Sequence, residues 1–267
     1  MGEISSVVGF PEDSYGSVKR VAVFWEWSQP LREKRGGPLS ILDFGCGTGR
    51  GVSFPFARAG DVVHGVDEHA LAIEHARRHP VSPNLTFGTE TADDLRERNA
   101  RFDVIVCSEV LEHLPDPARC LRDLRGLIVD DGLLFVTVPN GGGAYEVLTS
   151  VKKTLDRLGV NRLLDDVRGL AKRVAGRAPH PAADGADDAP FFEHGGHVQF
   201  FRLPRLRALF AETGWDLLET RGRTLLCGPY ADFWVAWLSL HTLNNALADR
   251  LPPRLAADWM FCARPGH

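Results

Sequence analysis

The chain has 267 residues, 44% apolar and 25% charged, which is typical of a globular protein with one large core and an added segment. The formal net charge of -4 provides no overall basic field, so wholesale binding to nucleic acid is disfavoured. Five cysteines without a Cys-x-x-Cys pair favour reduced thiols and a cytoplasmic protein. The absence of a signal-peptide pattern and of long apolar runs predicts neither secretion nor membrane spanning.

The first half of the chain alternates short apolar runs with helical patterns, in the rhythm of strand–helix–strand units. This rhythm predicts strands at 39–45, 61–67, 84–88, 102–108 and 132–139. It predicts helices between them at 50–59, 69–79, 91–98 and 116–127. An α/β fold follows, with a mostly parallel sheet covered by helices on both faces.

The second half interrupts this rhythm and then resumes it. We divide the chain into an N-terminal helical cap (1–38), a core (39–140), a helical and flexible lid insertion (141–200) and a C-terminal part of the core sheet (201–267). The insertion is basic and helical at first and then rich in Pro, Ala, Asp and Gly. The last part predicts a helix to about Thr213, a strand at WDLLETRG, one apolar helix at 231–248 and a strand near WMFCAR.

A glycine-rich turn follows the first predicted strand, in the sequence ILDFGCGTGRG. In a parallel sheet this turn offers free N–H groups to a ligand beyond the carboxyl ends of the strands. Asp43 precedes Gly45, Gly47 and Gly49, and the spacing matches neither the dinucleotide fingerprint nor a phosphate-binding loop. It suits a ligand whose amino-acid moiety lies across the turn, although a tight turn without a ligand is the simpler alternative.

The second strand ends at Asp67, followed by Glu68, about 20 residues beyond the glycine turn. A carboxylate at this place accepts hydrogen bonds from both hydroxyl groups of a ribose. The alternative is that Asp67 caps the next helix, and the two roles are compatible. We therefore predict a nucleoside-containing ligand.

These segments, together with FDVIVCSEVLEHLPDPARCLRDLRGLIVDDGLLFVTVPN, resemble the class I S-adenosylmethionine-dependent methyltransferases. The resemblance covers residues 40–140 and is greatest to the group that includes the ubiquinone-biosynthesis O-methyltransferases. HVQFFRLPRLRALFAETGW resembles the segment before that group's sixth strand. The resemblance implies a Rossmann-like, doubly wound sheet of seven strands, S-adenosyl-L-methionine as cofactor, and no specific acceptor.

The resemblance also implies roles for individual residues. The turn at Gly45 contacts the methionyl part of the cofactor, and Asp67 binds its ribose. Cys107 and Ser108 line the site beneath the sulfonium. For the adenine, the sequence GTETADD offers three side chains without a clear choice among them: Thr89, Glu90 and Asp93.

The sequence EVLEH places Glu109, Glu112 and His113 at i, i+3 and i+4, on one face if the segment is helical. Their oxygen and nitrogen atoms suit a divalent cation. Some quinone-pathway O-methyltransferases that resemble this motif use these positions for magnesium. The alternative is a structural loop after the fourth strand.

A general base for the transfer is expected among the polar side chains near the insertion, with His197, His113 and Tyr145 as the candidates and His194 beside them. A hydrogen-bonded structural histidine is the alternative for His197. Tyr15 and Trp25 are candidates for the wall of the acceptor pocket, although aromatic residues at helical spacing are more often core.

The acceptor is suggested by two features. Residues 151–177 carry eight basic and three acidic side chains, although a charged run is usually a solvated face. Residues 231–248 place an apolar stripe on one helix, which is otherwise explained by packing on the sheet or by a homodimer face. The stripe consists of Phe233, Trp237, Leu240, Leu243 and Leu247, with Trp234 beside it.

Together the two features predict O-methylation of a small anionic and partly apolar acceptor, such as a saccharide, a lipid-linked metabolite or a phenol. A catalytically silent cofactor-binding module is the main alternative, because a fold and a cofactor site do not prove turnover. A nicotinamide-dependent oxidoreductase is a distant third, because the glycine spacing is wrong for it.

Overall fold

The computed structural model describes residues 8–79, 82–157, 197–228 and 231–266, except the side chains of 144–147, 150 and 151. Seven strands form one sheet: β1 Ser40–Phe44, β2 Val62–Val66, β3 Leu85–Gly88, β4 Phe102–Ser108, β5 Ile128–Pro139, β6 Trp215–Gly222 and β7 Asp258–Pro265. The order is β3-β2-β1-β4-β5-β7-β6. β7 runs antiparallel to both of its neighbours, whereas the pairs among β1 to β5 are parallel.

Nine α-helices lie in the described residues: α1 Ser17–Arg35, α2 Ser53–Arg58, α3 Ala70–Arg78, α4 Ala92–Glu97, α5 Pro117–Arg125, α6 Ala144–Arg157, α7 Leu203–Glu212, α8 Ala231–Trp237 and α9 His241–Arg250. Short 3₁₀ turns occupy Leu111–His113 and Pro253–Leu255. Local sequence explains several helix starts. Thr91 and Asp94 form a capping box before α4, and the Asp116 carboxylate caps α5 ahead of Pro117.

The sheet is buried between two layers of helices. On one face, α1, α2 and α3 contribute Phe24, Phe56 and Ile73 to an apolar cluster. On the other face, α4, α5 and α7 contribute Leu95, Leu121 and Leu206. Because both faces are covered, the inner strands are almost wholly apolar, as β4 and the second half of β5 show.

The direction of the strand order reverses between β1 and β4, which pair in parallel through Ile41, Leu42 and Asp43. Helices lie on opposite faces on the two sides of this point, so a crevice opens beyond the carboxyl ends of β1 and β4. The predicted glycine turn and the EVLEH segment both follow these strands. The topology therefore brings the predicted site residues to one edge of the sheet.

The predicted fold class is confirmed, with the strands of the first half within two residues of their predicted positions except at the start of β5. This strand begins at Ile128, four residues before the predicted start at 132. The prediction of one helix over 231–248 is wrong. The chain breaks between α8 and α9, where Ser239 adopts a left-handed φ of 55°. A single apolar stripe therefore does not run through this region.

The predicted lid insertion is described only in part. Its first helix is α6, in which Lys152 pairs with Asp156 at 2.9 Å. The basic residues between 158 and 177 and the candidate His194 lie outside the described residues. Among the helices that the structure describes, none has the length and apolarity needed to cross a membrane.

Candidate functional site

The glycine turn is attached to the end of β2. The N–H groups of Gly45 and Cys46 donate to the carbonyl oxygen of Val66 at 2.8 and 3.0 Å. Gly45, Gly47 and Gly49 all have left-handed φ values, of 75°, 55° and 78°. Only glycine adopts this conformation without strain, which explains why the turn is so rich in it.

The three glycines do not have the same surroundings. A Cβ atom on Gly45 would lie 2.3 Å from Val110, and one on Gly49 would lie 2.5 Å from the Phe87 ring. Around Gly47, no atom of the described residues lies within 4 Å of such a Cβ. Internal packing therefore requires glycine at positions 45 and 49, whereas Gly47 faces open space.

Asp67 holds the turn and the start of α3 together. Its Oδ2 accepts from the Gly47 N–H and its Oδ1 accepts from the His69 N–H, both at 2.8 Å. The helix itself is capped by the His69 side chain, which accepts from the Ala72 N–H. Asp67 is half-buried and each of its oxygens has a second lone pair, so it is able to bind ribose hydroxyls as well. Glu68 beside it is exposed.

Asp43 lies beneath the turn and is only 3% exposed. Its Oδ2 accepts from the Ser53 hydroxyl at 2.5 Å, at the start of α2. Burial raises the pKa of Asp43 to about 6, against the hydrogen bonds from Ser53 and the charge of Arg20. In this structure Asp43 supports the turn from inside, and the predicted contact with a cofactor remains a prediction.

The segment after β3 holds the three residues predicted to contact the adenine. Thr89 is exposed. Glu90 turns back over Gly88, where its Oε1 lies 2.9 Å from Arg98 and 3.6 Å from His64 Nε2. Asp93 pairs with Arg96 at 2.7 Å. Glu90 and Asp93 therefore both form ion pairs with arginine side chains, whereas Thr89 is uncharged and forms none.

The end of β4 presents its two predicted side chains to different surroundings. Cys107 is fully buried in the apolar core, and the neighbouring Cys120 together with burial raises its thiol pKa. Its side chain therefore packs in the core and does not line the crevice. Ser108 belongs to a polar network, because its hydroxyl lies 2.8 Å from the Thr137 hydroxyl and 3.0 Å from Arg20 Nη1.

Glu109 continues this network in a strained conformation, with a left-handed φ of 58°. Such strain in a residue other than glycine is typical of functional sites. Glu109 Oε1 accepts from the Thr137 hydroxyl at 2.6 Å and from Arg223 Nη1 at 3.0 Å. Burial opposes ionisation of this carboxyl, but Arg223, Thr137 and Arg20 outweigh it, and its pKa lies below the ordinary value.

Arg223 lies directly after β6 and is 3% exposed. Its guanidinium bridges Glu109 to the buried Asp258, whose Oδ1 lies 3.4 Å from Arg223 Nη2. Thr224 donates to the other oxygen of Asp258 at 3.2 Å. A buried cation thus lies between two carboxylates, one directly after β4 and one at the start of β7.

Arg20, in the first turns of α1, belongs to the same polar network. Besides its bond to Ser108, its Nη2 lies 2.6 Å from the point where a Cβ on Gly51 would stand. Its Nε is buried and has no hydrogen-bond partner among the described residues. Burial and then the nearby charge of Arg223 lower the pKa of Arg20. An anionic ligand between the glycine turn and β4 would supply the missing counter-charge.

The remaining predicted metal ligands form a separate group. Glu112, His113 and His197 each offer one ligand atom, and these atoms all lie within 4.8 Å of one another. Burial, and then the charge of Glu109, raise the pKa of Glu112 to about 9. The predicted triad is therefore corrected at one position. Glu109 is held by Arg223, and His197 takes its place beside Glu112 and His113.

The remaining candidates for the base and the pocket wall are only partly described. The rings of His113 and His197 are 5.3 Å apart, and the side chain of Tyr145 is outside the described part of the structure. Tyr15 is 40% exposed and donates to Asp232 at 3.0 Å, at the start of α8. Trp25 packs against Phe56 on the core side and does not reach the crevice.

Sequence reasoning missed the charged half of the site. Arg20 and Arg223 belong to no motif, and the bond between Glu109 and Arg223 joins residues 114 positions apart. One signal was present. In KRVAVFW, Arg20 directly precedes an apolar run, and a cation at the edge of a packed helix face needs a partner.

Comparison with known proteins agrees with this geometry. A family model described as a methyltransferase domain matches residues 20–220. The chain belongs to this methyltransferase family. The matched residues include Arg20, the glycine turn, Asp67, Ser108 and Glu109, and they end before Arg223 and Asp258.

Two curated relatives are similar to part of this methyltransferase chain, and both are named ubiquinone biosynthesis O-methyltransferase. The protein from Haemophilus ducreyi is 36% identical over 107 residues, or 38% of this chain and 45% of that protein. The protein from Coxiella burnetii is 36% identical over 102 residues, or 38% of this chain and 43% of that protein. The similarity thus spans less than half of either relative.

Solved structures share the fold over most of the chain. The CcbJ methyltransferase from Streptomyces caelestis has a TM-score of 0.55 at 17% identity, covering 99% of this chain and 96% of its own. Magnesium protoporphyrin IX methyltransferase from Synechocystis, with bound SAH, has a TM-score of 0.51 at 16% identity and covers 94% of this chain and 84% of its own. At these identities the likeness establishes the fold alone.

Proposed function

We propose that the protein transfers a methyl group from S-adenosylmethionine to a hydroxyl oxygen of a small-molecule acceptor. The observation that carries this proposal is the pairing of Gly47 with Asp67. The turn is open over Gly47, and the carboxylate that would bind a ribose is fixed beside it. The membership in the methyltransferase family and the SAH bound to a protein of the same fold support the choice of donor.

We propose one orientation for the donor in the crevice. Its ribose hydroxyls bind Asp67 and its methionyl group crosses the turn at Gly47. The methionyl carboxylate meets Arg20, whose guanidinium lies at the turn without a carboxylate partner among the described residues. A charge-assisted bond to a buried guanidinium is among the stronger polar contacts in proteins. The sulfonium then lies toward Ser108, at the end of β4.

The acceptor hydroxyl is expected beside Glu109. Since Thr137 and Arg223 both bind Oε1, the Oε2 atom is left to accept a hydrogen bond from the acceptor. As the methyl group passes to the oxygen, the hydroxyl proton becomes strongly acidic, so a carboxylate of low basicity suffices to take it. The products are the methyl ether, S-adenosylhomocysteine and a proton. The rest of the rate enhancement comes from aligning the acceptor oxygen with the methyl group and from excluding water.

Magnesium is not part of this proposal. The predicted magnesium triad needs Glu109, but that carboxylate is already neutralised by Arg223 at 3.0 Å. A second cation between Glu109 and Glu112 would be repelled by the guanidinium. The residues therefore do not fit the expected magnesium site, and no step of the transfer uses that ion.

The acceptor is proposed to be a phenol, a saccharide or a lipid-linked metabolite in the cytoplasm. The O-methyltransferase names of the two relatives support an oxygen as the methylated atom. Exposed aromatic rings at α8, next to Tyr15, offer flat apolar surfaces for a ring-shaped body. All five cysteines are free thiols, which suits a reducing compartment.

Calorimetry with S-adenosylhomocysteine tests the donor site. Asp67→Ala should weaken binding about 100-fold, because two charge-assisted hydrogen bonds to the ribose are lost. Glu74→Ala, an exposed acid on α3, is the matched control and should bind like the wild type. Equal affinity in all three proteins would refute the assignment. A thermal midpoint measured for each variant separates lost contacts from a collapsed turn.

Turnover is tested by incubating the protein with labelled S-adenosylmethionine and a small-molecule extract. We expect labelled products that are heavier by one CH₂. Glu109→Gln should slow labelling at least tenfold while leaving affinity for S-adenosylhomocysteine unchanged. Saturable binding without any incorporation would instead identify a catalytically silent binding module.

A further inference from the structure

A compact group of metal-binding side chains lies next to the network just described. Glu112 and His113 belong to the 3₁₀ turn after β4, and His197 belongs to the segment that leads into α7. Glu112 Oε1 and His113 Nε2 are 4.0 Å apart, and the two imidazole rings are 5.3 Å apart. The backbone fixes these segments together, because Val198 and Gln199 both donate to the Glu112 carbonyl, at 2.9 and 3.0 Å.

The Glu112 carboxyl group is an independent sign of a missing ligand. Glu112 is 1% exposed, and neither of its oxygens has a hydrogen-bond partner within the described ranges. Leaving a buried carboxyl unsatisfied costs several kcal/mol in general, so native proteins nearly always supply a partner. Ligand atoms of the two imidazoles lie within 4.8 Å of it.

We propose that Glu112, His113 and His197 bind a divalent transition-metal ion of the zinc class. Two imidazoles and one carboxylate are a donor set that suits zinc, whereas magnesium prefers oxygen ligands alone. In a tetrahedral zinc site with bonds of about 2.1 Å, ligand atoms lie about 3.4 Å apart, so a contraction of about 1 Å assembles the site. The partly exposed His113 leaves a route from solvent and a fourth position for water.

The same contacts exclude Glu109 from this site. Its carboxylate faces Thr137 and Arg223, and the guanidinium would repel any cation bound there. The proposed ion therefore binds Glu112, His113 and His197 without Glu109. It would join the turn after β4 to the segment before α7, two parts of the chain 84 residues apart that already share the hydrogen bonds at Glu112.

The test measures zinc binding by competition with a chromophoric chelator, in parallel with magnesium. One confounding site must first be removed. His75 on α3 and His79 directly after that helix have Nε2 atoms 3.3 Å apart and can chelate zinc by themselves. All measurements therefore use the full chain carrying His75→Ala. We expect one zinc ion per chain and at least 100-fold weaker binding of magnesium.

Three variants in this background test the ligands. Glu112→Gln, His113→Ala and His197→Ala should each weaken zinc binding at least tenfold, while Glu109→Gln, the matched control, should retain it. Cobalt substitution gives a second readout that does not depend on variants that fold, because bound Co²⁺ in this donor set absorbs visible light. Loss of binding in Glu109→Gln, retention in all three ligand variants, preference for magnesium, or a cobalt complex without visible absorption would each overturn the site.

Discussion

Arg223 connects three strands of the sheet through one guanidinium. It follows β6, binds Glu109 after β4 and lies 3.4 Å from Asp258 at the start of β7. Its surroundings hold the pKa of the guanidinium above its usual range, against the effect of burial, because Asp258 and Glu109 face it. The charge is therefore permanent, and the two carboxylates depend on it.

Removing this cation should be costly. Arg223→Met leaves Glu109 and Asp258 without their partner, and we expect a loss of about 3–5 kcal/mol in the free energy of unfolding. Urea denaturation measures it. In the double variant Arg223→Met with Glu109→Gln, one of the two stranded charges is gone, so part of the loss should be recovered. A double variant that is no more stable than Arg223→Met alone would contradict the pairing.

Asp43 should make the free energy of unfolding fall as the pH rises. Its pKa is about 6 in the folded chain and 3.8 ordinarily, so the folded state holds the proton more tightly. The contribution of this tighter proton binding to the free energy of unfolding is complete below pH 3.8 and is lost as the pH rises through about 6. The loss amounts to about 3 kcal/mol at most. Asp43→Asn removes this titration.

The measurement compares wild type and Asp43→Asn by urea denaturation between pH 4 and pH 7. Asparagine still accepts from the Ser53 hydroxyl, so the hydrogen bond at the start of α2 is kept. The wild type should lose stability relative to the variant over this range. Parallel curves for the two proteins would show that Asp43 titrates at its ordinary value.

Individual residues were predictable where a backbone position dictates them. Asp67 and Gly47 were predicted from the turns that follow parallel strands. In the structure the Gly47 N–H donates to Asp67 Oδ2 at 2.8 Å. Contacts made by single side chains across the chain were not predictable. Glu109 looked like a metal ligand because its spacing to Glu112 fits. The arginine that binds it, Arg223, directly follows β6, a strand whose place in the sheet the sequence pattern does not specify.

Among the elements, the pair α8 and α9 differs most from its prediction. The sequence between 231 and 248 is apolar enough for a continuous helix, and its hydrophobic spacing fits one. The chain instead turns at Ser239, whose φ of 55° ends the run. Phe233 and Trp237 stack with ring centroids 6.4 Å apart, and Trp234 remains 51% exposed. Periodicity detects an apolar face but does not show where a helix stops.

Ser239 offers a test of this break. Ser239→Gly should raise the free energy of unfolding by about 0.5–1 kcal/mol, because glycine adopts a left-handed φ without strain. Ala236→Gly, three residues earlier within α8, is the matched control and should lower it by a similar amount. If the helix were continuous, both substitutions would destabilise the protein. Thermal or urea unfolding distinguishes the two cases.

For the molecule as a whole, the sheet order was predictable only in its first half. Strands alternating with helices imply parallel pairs, and β1 to β5 form them. After the insertion helices still separate the strands, but β7 pairs antiparallel with both of its neighbours, so the alternation of strands and helices does not fix the order there. β7 lies inside the sheet, paired with β5 on one side and β6 on the other. Neither the length nor the composition of β7 indicates that it lies between β5 and β6.

The inner position of β7 predicts a strong effect of truncation. A chain ending at Ala257 lacks every pair between β5, β7 and β6, together with Asp258 of the buried charge network. We expect it to lose the cooperative thermal transition, as monitored by circular dichroism. A chain ending at Pro265 keeps β7 and should unfold cooperatively. A sharp transition in the shorter chain would mean that the sheet is stable without its inner strand.

The same position of β7 has a consequence for synthesis on the ribosome. The part of the chain from β1 to β5, which contains the glycine turn and Asp67, leaves the ribosomal exit tunnel first. Its strands can pack against the helices that lie between them. Until residues 258–265 emerge, the side of β5 that receives β7 presents unpaired backbone groups in an apolar strand, and β6 has nothing to pair with. Nascent chains at this stage are therefore candidates for chaperone capture or for aggregation through that edge.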